Sequence, residues 1–129
     1  KIRAIPVNHI PGAMGFEVIS EDGTGLFYTG DTGDGLSSVW ENIKPNLMII
    51  DLTFPNKLSH IAKESRHLCP QMIKAEMIGF NRIKGYIPNI LITHMNPYFE
   101  QEISKEMEEV ANELGINFIQ AYEGLKLNV

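Results

Sequence analysis

The chain has 129 residues, of which 43% are hydrophobic and 21% are charged. These proportions are ordinary for a soluble globular domain, so they argue against a coiled coil or a disordered chain. The formal net charge of -5, from 11 basic and 16 acidic residues, argues against a broad basic surface for duplex DNA or anionic lipid. A small anionic substrate held through a metal ion stays compatible with that charge.

Two further features of the sequence indicate the cellular compartment in which the chain is expected. Cys69 is the only cysteine, which excludes an internal disulfide and a zinc ribbon. No apolar run reaches the ~18 residues of a membrane span, and there is no basic leader with an apolar core. We therefore expect a reducing aqueous compartment, the cytoplasm, and no membrane partner. The chain opens at Lys1 inside a predicted strand, so we also expect it to be part of a larger protein.

The first third of the sequence predicts antiparallel β-structure. Strands are predicted in three β-rich runs: 2–9, 16–20 and 26–29. Asp22-Gly23 predicts a hairpin turn between the last two of them. Pro6 has no amide proton to donate, which restricts the first strand to a sheet edge or a bend. A glycine-laced loop over 30–35 and a short helix over 37–43 follow.

The remainder of the sequence alternates strands and helices. Short apolar runs at 47–51 and 89–93 predict strands that are covered on both faces. Helices are predicted in three segments with apolar residues at helical spacing: 57–66, 70–83 and 99–114. A closing pair of strands is predicted over 117–121 and 125–129. The pattern therefore predicts one α/β domain over residues 1–129.

Four polar residues stand at the ends of predicted strands: His9, Asp31, Asp51 and His94. Because strand ends meet at one edge of an open α/β sheet, we expect these side chains to converge. Two imidazoles and a carboxylate are suitable ligands for zinc, iron or manganese. A metal-bound water ionises near pH ~7, which makes it a nucleophile.

Three of these residues also have a purely structural interpretation. His9 fits an ordinary loop histidine, Asp31 fits a turn-forming aspartate, and His94 fits a cap of the following helix. Only their conjunction at strand ends favours a metal site.

Asp51 differs from the others, because a carboxylate at the end of an apolar run is costly to bury without a partner. Arg66 and His67 are the candidate partners. His60 is expected to face solvent from a helix. Cys69 is expected to be a buried thiol rather than a nucleophile beside His67.

Five segments, in this order, resemble motifs of the metallo-β-lactamase superfamily and specifically of its phosphodiesterase branch, which includes ribonuclease Z. They are Val7-Asn8-His9-Ile10-Pro11-Gly12-Ala13-Met14-Gly15-Phe16, Phe27-Tyr28-Thr29-Gly30-Asp31-Thr32, Met48-Ile49-Ile50-Asp51-Leu52-Thr53-Phe54, Arg66-His67-Leu68-Cys69 and Leu91-Ile92-Thr93-His94-Met95-Asn96-Pro97. The first and last are similar to stretches that carry metal-binding histidines, and the second is similar to the segment whose aspartate bridges two metals. The third resembles a strand ending in Glu-x-Thr-Phe, and the fourth resembles Gly-His-Ser-Thr.

The resemblance implies an α/β fold, namely half of the αββα sandwich of metallo-β-lactamases, with a mixed sheet and helices packed on one face. It implies two divalent metal ions, zinc before manganese or iron, with His9 on one ion, His94 on the other and Asp31 bridging. Asp51 and His67 would form an acid pair, in which the carboxylate orients an imidazole that protonates the leaving alkoxide of a phosphodiester. Such general-acid help is worth ~10²–10⁴-fold.

The sequence departs from the family pattern in three places. The His-x-His-x-Asp-His signature, which supplies most of the ligands, is absent, so the chain resembles the C-terminal portion of the fold and is expected to be a poor enzyme alone. Asp51 stands where the branch has glutamate. His94 lacks the Ser-x-Arg-Tyr continuation of ribonuclease Z. Small cyclic-nucleotide phosphodiesterases, whose last motif can run His-x-x-Pro, fit better, and arylsulfatase-type relatives stay open.

The predicted function is metal-dependent hydrolysis of a phosphodiester, in a cyclic nucleotide or at an RNA 3′ end, with this chain contributing part of a dinuclear site. The expected partners are a small phosphodiester or nucleotide substrate and the missing N-terminal half of the fold, or a second copy of the chain, since half a sandwich exposes an apolar face. One alternative is a non-catalytic binding or assembly module that retains remnants of the site. Another is a mononuclear iron site made by His9, Asp31 and His94.

Overall fold

The computed structural model describes all residues, Lys1–Val129. The strands are β1 (Ile2–Pro6), β2 (Met14–Ile19), β3 (Gly25–Tyr28), β4 (Leu47–Asp51), β5 (Asn89–Thr93) and β6 (Phe118–Gln120). The α-helices are α1 (Ser37–Glu41), α2 (Ser59–Ser65), α3 (Pro70–Lys84) and α4 (Glu100–Leu114). Short 3-10 turns precede α2 and α4, at Asn56–Leu58 and Pro97–Phe99. None of the helices is long and apolar enough to span a lipid bilayer.

The strands form one mixed sheet in the order β1-β2-β3-β4-β5-β6. The first three strands pair antiparallel, and β3 to β6 pair parallel. Parallel neighbours need a crossover, which the helices supply. Strand β1 runs in the same direction as β3, because two antiparallel pairings separate them. The C-terminal ends of β1, β3, β4 and β5 therefore meet at one edge of the sheet.

The hydrophobic core lies between one face of the sheet and the helices. Alternate residues of the central strands point to this face, and the register aligns Met48 with Phe27 and with Ile90. Trp40 of α1 and Phe80 of α3 pack in the same cluster, which Ile103 and Met107 of α4 complete. This packing confirms the predicted α/β sheet with helices on one face.

The opposite face of the sheet carries apolar side chains that no helix covers. We call it the open sheet face and define it by Ile2, Met14, Phe16, Val18, Tyr28 and Ile119, each between 37% and 71% exposed. The register places Phe16 opposite Tyr28, and Val18 opposite Ile2, so the residues form one surface. Contiguous apolar surface of this kind is typical of a face that binds another molecule.

Most predicted elements are confirmed, with ends that differ by a few residues. Strand β1 stands at the sheet edge, one of the two places that Pro6 allows, and it ends at Pro6. His9 therefore lies in a loop rather than at the end of a strand. The helix predicted over 57–66 is divided between the 3-10 turn and α2.

The prediction of a closing strand pair over 117–121 and 125–129 is wrong. Strand β6 pairs in parallel with β5, and residues 125–129 form no strand. A turn, closed by the Leu125 amide on the Tyr122 carbonyl, leads into this tail. Leu127 and Val129 of the tail line a cavity of about 210 Å³ beside Ile119. Both side chains stay exposed, at 40% and 58%, so the apolar residues of this tail did not indicate a strand.

Candidate metal centre

Side chains from four separate segments converge at the C-terminal edge of the sheet. Asp51 is the last residue of β4, Asp31 and His94 follow β3 and β5, and His67 follows α2. One ligand atom from each of these four residues lies within 4.8 Å of the others. His9, in the loop after β1, approaches the same group from one side. The structure thus brings together all five residues singled out from the sequence.

The carboxylate of Asp31 lies between two imidazoles. Its Oδ2 atom is 3.9 Å from Nε2 of His9, and its Oδ1 atom is 3.5 Å from Nε2 of His94. The Asp31 side chain is 45% exposed, so its carboxylate is open to ions from solvent. Each carboxylate oxygen faces a different histidine, which suits a carboxylate placed between two cations.

The loops that carry His9 and Asp31 are fastened to each other. Gly30 adopts a φ of +61°, a left-handed conformation that glycine reaches without steric cost, and this turns the chain immediately before Asp31. Two residues later, the Gly33 amide donates to the Asn8 carbonyl at 2.7 Å. Because Asn8 directly precedes His9 and Gly33 lies two residues after Asp31, this hydrogen bond holds His9 near Asp31.

Arg66 holds His9 rather than Asp51. The Arg66 carbonyl lies 2.9 Å from Nδ1 of His9, and the Arg66 guanidinium donates to the His9 carbonyl at 2.6 Å. Arg66 has a φ of +58° at the end of α2, which directs the chain back toward the sheet. A Cβ atom at Gly33 would lie 3.0 Å from the Arg66 Cα atom, so glycine permits this close approach.

Asp51 is buried and its carboxylate is surrounded by donors. Oδ2 lies 2.7 Å from Nδ1 of His67 and accepts the Thr32 amide at 3.0 Å, while Oδ1 accepts the Thr53 hydroxyl at 2.5 Å. Burial raises the pKa of the Asp51 carboxyl, and the hydrogen bonds from Thr53, His67 and Thr32 oppose that rise. With both oxygens engaged, the Asp51 carboxylate is suited to holding His67 rather than to binding an ion directly.

The three histidines of the site pack against one another. The His67 ring stacks on the His94 ring, with centroids 5.2 Å apart and planes 17° apart, and the His9 ring lies 4.9 Å from His67. His60, by contrast, is exposed on α2, as predicted. Cys69 is fully buried, and burial raises the pKa of its thiol, which agrees with the prediction that it is not a nucleophile.

Thr53 also contacts the site residues, and it was not among the residues predicted from the sequence. Its Oγ1 atom lies 2.5 Å from Asp51, 2.9 Å from Nδ1 of His94 and 3.3 Å from Nδ1 of His67. A signal for it exists in the sequence, because Thr53 stands two residues after Asp51. Alternate residues of an extended segment point to the same side.

The residues present fit one part of a divalent-cation centre. Imidazole nitrogens and a carboxylate are the donors that zinc, manganese and ferrous iron accept. His9 and His94 both have Nδ1 next to an oxygen, which leaves Nε2 toward Asp31. Metal-binding histidines are typically held in this way through the other ring nitrogen. Three ligands do not fill the coordination shells of two ions, so further ligands have to come from outside these residues.

Solved structures that resemble this chain include a metallo-β-lactamase fold protein and two RNase Z proteins. The metallo-β-lactamase fold protein YhfI from Bacillus subtilis matches over 96% of this chain, with a TM-score of 0.73 and 14% identity. Human tRNase Z, short form, also matches over 96%, with a TM-score of 0.66 and 19% identity. A long form RNase Z from yeast matches over 74%, with a TM-score of 0.59 and 17% identity. No family model and no curated protein matches the sequence.

The chain spans less than half the length of these structures: 47%, 41% and 13% of them, respectively. At such low sequence identity the likeness shows a common fold and nothing about activity. The element order, the mixed sheet and the helices on one face agree with it, and the predicted resemblance is confirmed at this level. This chain has the α/β architecture of the metallo-β-lactamase fold, of which it represents a part.

Proposed function

We propose that this chain is the C-terminal portion of a metal-dependent phosphodiesterase and contributes His9, Asp31 and His94 to a dinuclear site. The observation that carries the proposal is the position of Asp31, whose two oxygens face Nε2 atoms of two different histidines. Two of the similar structures are RNase Z proteins, which supports a nucleotide or RNA phosphodiester as substrate. Zinc is the first choice of metal, because it accepts both donor types.

Two cation positions fit the distances better than one mononuclear iron site. His9 lies outside the group whose ligand atoms all fall within 4.8 Å, and its closest approach to Asp31 is to Oδ2. His94 reaches the other oxygen. When bound, divalent cations lower the pKa of a water nucleophile and neutralise charge on the phosphoryl oxygens.

In this proposal Asp51 and His67 serve the leaving group. The Asp51 carboxylate, 2.7 Å from Nδ1 of His67, orients the imidazole, and the proposed general-acid role requires a second proton on Nε2. As water oxygen bonds to phosphorus and the phosphorus–oxygen ester bond breaks, the leaving alkoxide takes the proton on Nε2 of His67. His67 is then neutral, with its remaining proton on Nδ1 facing Asp51. The proton lost by the attacking water passes to solvent.

The rest of the same polypeptide is proposed to cover the open sheet face. Similar structures are more than twice the length that this chain spans in the two best-covered cases, so more than half of such a fold lies outside these residues. A second sheet packs face to face on an apolar sheet surface at ~10 Å. The same half would supply the ligands that the site lacks. The single cysteine keeps the cytoplasm as the predicted compartment.

Metal content and hydrolysis in the complete protein test the proposed activity. We expect about two ions per molecule and hydrolysis of bis(p-nitrophenyl) phosphate or of a cyclic nucleotide, both lost on chelation and restored by zinc. Asp31→Asn should lower the metal content and activity, because the amide offers no anionic bridge. Asp34→Asn is the matched control, since Asp34 lies in the same loop but pairs with Lys63.

Two results would overturn the proposal. Metal-replete protein that hydrolyses neither compound refutes the hydrolase, and Asp31→Asn protein with full metal content refutes the bridge. If His94→Ala leaves partner binding intact in a protein without hydrolytic activity, the non-catalytic module is the correct alternative.

A matched pair of substitutions tests the cover on the open sheet face. Phe16 and Ile78 are equally exposed in this chain, at 43% and 42%. In the complete protein, Phe16→Asp should lower the free energy of unfolding by at least ~2 kcal/mol, because it buries a carboxylate, whereas Ile78→Asp on α3 should change it by ~0.5 kcal/mol. Equal effects would contradict the proposal. A Phe16→Asp variant that converts a dimer into stable monomers would show that a second copy covers the face.

A further inference from the structure

We propose that Thr53 is a positioning residue, which keeps the proton of His94 on Nδ1 and so leaves Nε2 free toward Asp31. The inference rests on the proposed metal site and names a residue that the site requires without being a ligand. Thr53 is 8% exposed and lies between β4 and the turn that follows β5. Its hydroxyl contacts three members of the site at once.

The hydrogen-bond donors and acceptors around the Thr53 hydroxyl support this role. A hydroxyl has one proton to donate, and an ionised carboxylate can only accept. Oγ1 lies 2.5 Å from Oδ1 of Asp51, so the hydroxyl proton points to that oxygen. The lone pairs of Oγ1 then face Nδ1 of His94 at 2.9 Å. This contact is a hydrogen bond only if the Nδ1 atom of His94 carries the proton.

His67 does not compete for the same lone pairs. Its Nδ1 atom is 2.7 Å from Oδ2 of Asp51 and 3.3 Å from Thr53, so its proton serves the shorter contact. Thr53 is therefore free to accept from His94. The two stacked rings of His67 and His94 are each held at Nδ1, one by the carboxylate and the other by the hydroxyl.

The tautomer of His94 decides whether its other nitrogen, Nε2, can bind a cation. A neutral imidazole with its proton on Nδ1 has a lone pair on Nε2. That atom faces Oδ1 of Asp31 at 3.5 Å, where a cation bound to the carboxylate would need it. The opposite tautomer would direct an N–H group at Asp31 and block the ligand position. His9 obtains the same tautomer from the Arg66 carbonyl, which no side-chain substitution removes.

Thr53 also supports the backbone that carries His94. His94 has a φ of +62°, in the left-handed region that is unfavourable for a non-glycine residue. The Thr53 carbonyl accepts the Asn96 amide at 3.0 Å, and the Leu52 amide donates to the Thr93 carbonyl at 2.9 Å. Main-chain and side-chain contacts from the 52–53 segment thus hold the turn that presents the imidazole.

Nitrogen NMR of the complete, metal-free protein tests the inference directly. With histidine-selective ¹⁵N labelling, two-bond ¹⁵N–¹H correlations report the tautomer of each ring, and the His94 signals are assigned by their loss in His94→Gln. We expect the proton of His94 on Nδ1 in the unsubstituted protein at a pH where the ring is neutral. A proton on Nε2 there would overturn the proposal without any further variant.

Two substitutions at Thr53 supply the second readout. Thr53→Val keeps the shape but removes the hydroxyl, and should move the His94 proton to Nε2 and weaken zinc binding by about 10–100-fold. Thr53→Ser restores the hydroxyl and should restore both the tautomer and the affinity. Zinc affinity that is unchanged in Thr53→Val overturns the inference while leaving the metal site intact. The expected tautomer in a protein that binds no metal would instead refute the proposed function alone.

Discussion

The Nδ1 atom of His67 lies 2.7 Å from Oδ2 of Asp51, across 16 positions of the sequence. Two backbone bonds create this proximity, because the amides of Thr53 and Phe54 both donate to the Leu68 carbonyl at 3.2 Å. The segment after α2 is thereby held beside the extension of β4. Asp51 thus obtains the partner that a buried carboxylate requires.

Removing His67 should destabilise the protein. His67→Ala leaves the buried Asp51 carboxylate without one charged hydrogen bond, while the donors Thr53 and Thr32 remain, so we expect a loss of about 1.5–3 kcal/mol. Urea unfolding followed by the fluorescence of Trp40 measures it. The control is His60→Ala on α2, which should change stability by at most ~0.5 kcal/mol because His60 is exposed. A loss no larger than that of the control would contradict the structural role of the pair.

Glu76 should hold the end of the Asp31 loop. Its carboxylate accepts the amides of Gly35 and Leu36 at 3.2 and 3.1 Å, and the indole N–H of Trp40 at 3.1 Å. Glu76→Ala leaves the indole N–H of the buried Trp40 without an acceptor, at a cost of about 1–3 kcal/mol. Thermal unfolding by circular dichroism measures the loss. Glu109→Ala, at an exposed position on α4, is the control, and an equal effect would refute the role of Glu76.

Two glycines should respond to alanine with opposite signs. A Cβ atom at Gly15 would lie 2.6 Å from Cζ of Phe27 and 2.9 Å from the Tyr28 carbonyl oxygen. Gly15→Ala should therefore cost about 1–3 kcal/mol through overpacking. Gly79 lies within α3 with nothing inside 4 Å of an added Cβ. Gly79→Ala should stabilise the protein by about 0.5–1 kcal/mol, since alanine has the higher helix propensity. Chemical denaturation measures the change in the free energy of unfolding of each variant. Changes of the same sign would contradict the packing described for the two glycines.

The thiol of Cys69 should make stability depend on alkaline pH. Burial raises the pKa of Cys69 in the folded chain, so folding favours the protonated thiol. This contribution is complete below the unfolded thiol pKa of ~8.5 and is lost as pH rises through the higher folded pKa. The free energy of unfolding should therefore fall more steeply above that pH in the unsubstituted protein than in Cys69→Ala. Parallel profiles would exclude the effect.

The helices and central strands followed from local pattern. The segment 47–51 is predicted within its observed bounds, because a short, almost wholly apolar run is typical of a central strand of a sheet. The prediction of a strand over 125–129 is wrong for a related reason. Leu127 and Val129 line a cavity beside Ile119 but stay largely exposed, and local periodicity does not separate such a tail from a paired strand.

The candidate site divides in the same way. Asp31, Asp51 and His94 could be singled out from the chain alone, because each follows or ends a strand and strand ends share an edge. Their individual contacts were decided by the tertiary structure, which sets Thr53 against His94 and the Arg66 carbonyl against His9. These partners are 41 and 57 positions apart, respectively, and only the order of strands in the sheet brings them within hydrogen-bonding distance. A chain read residue by residue contains the donors and acceptors, but their pairing depends on distances that exist only after folding.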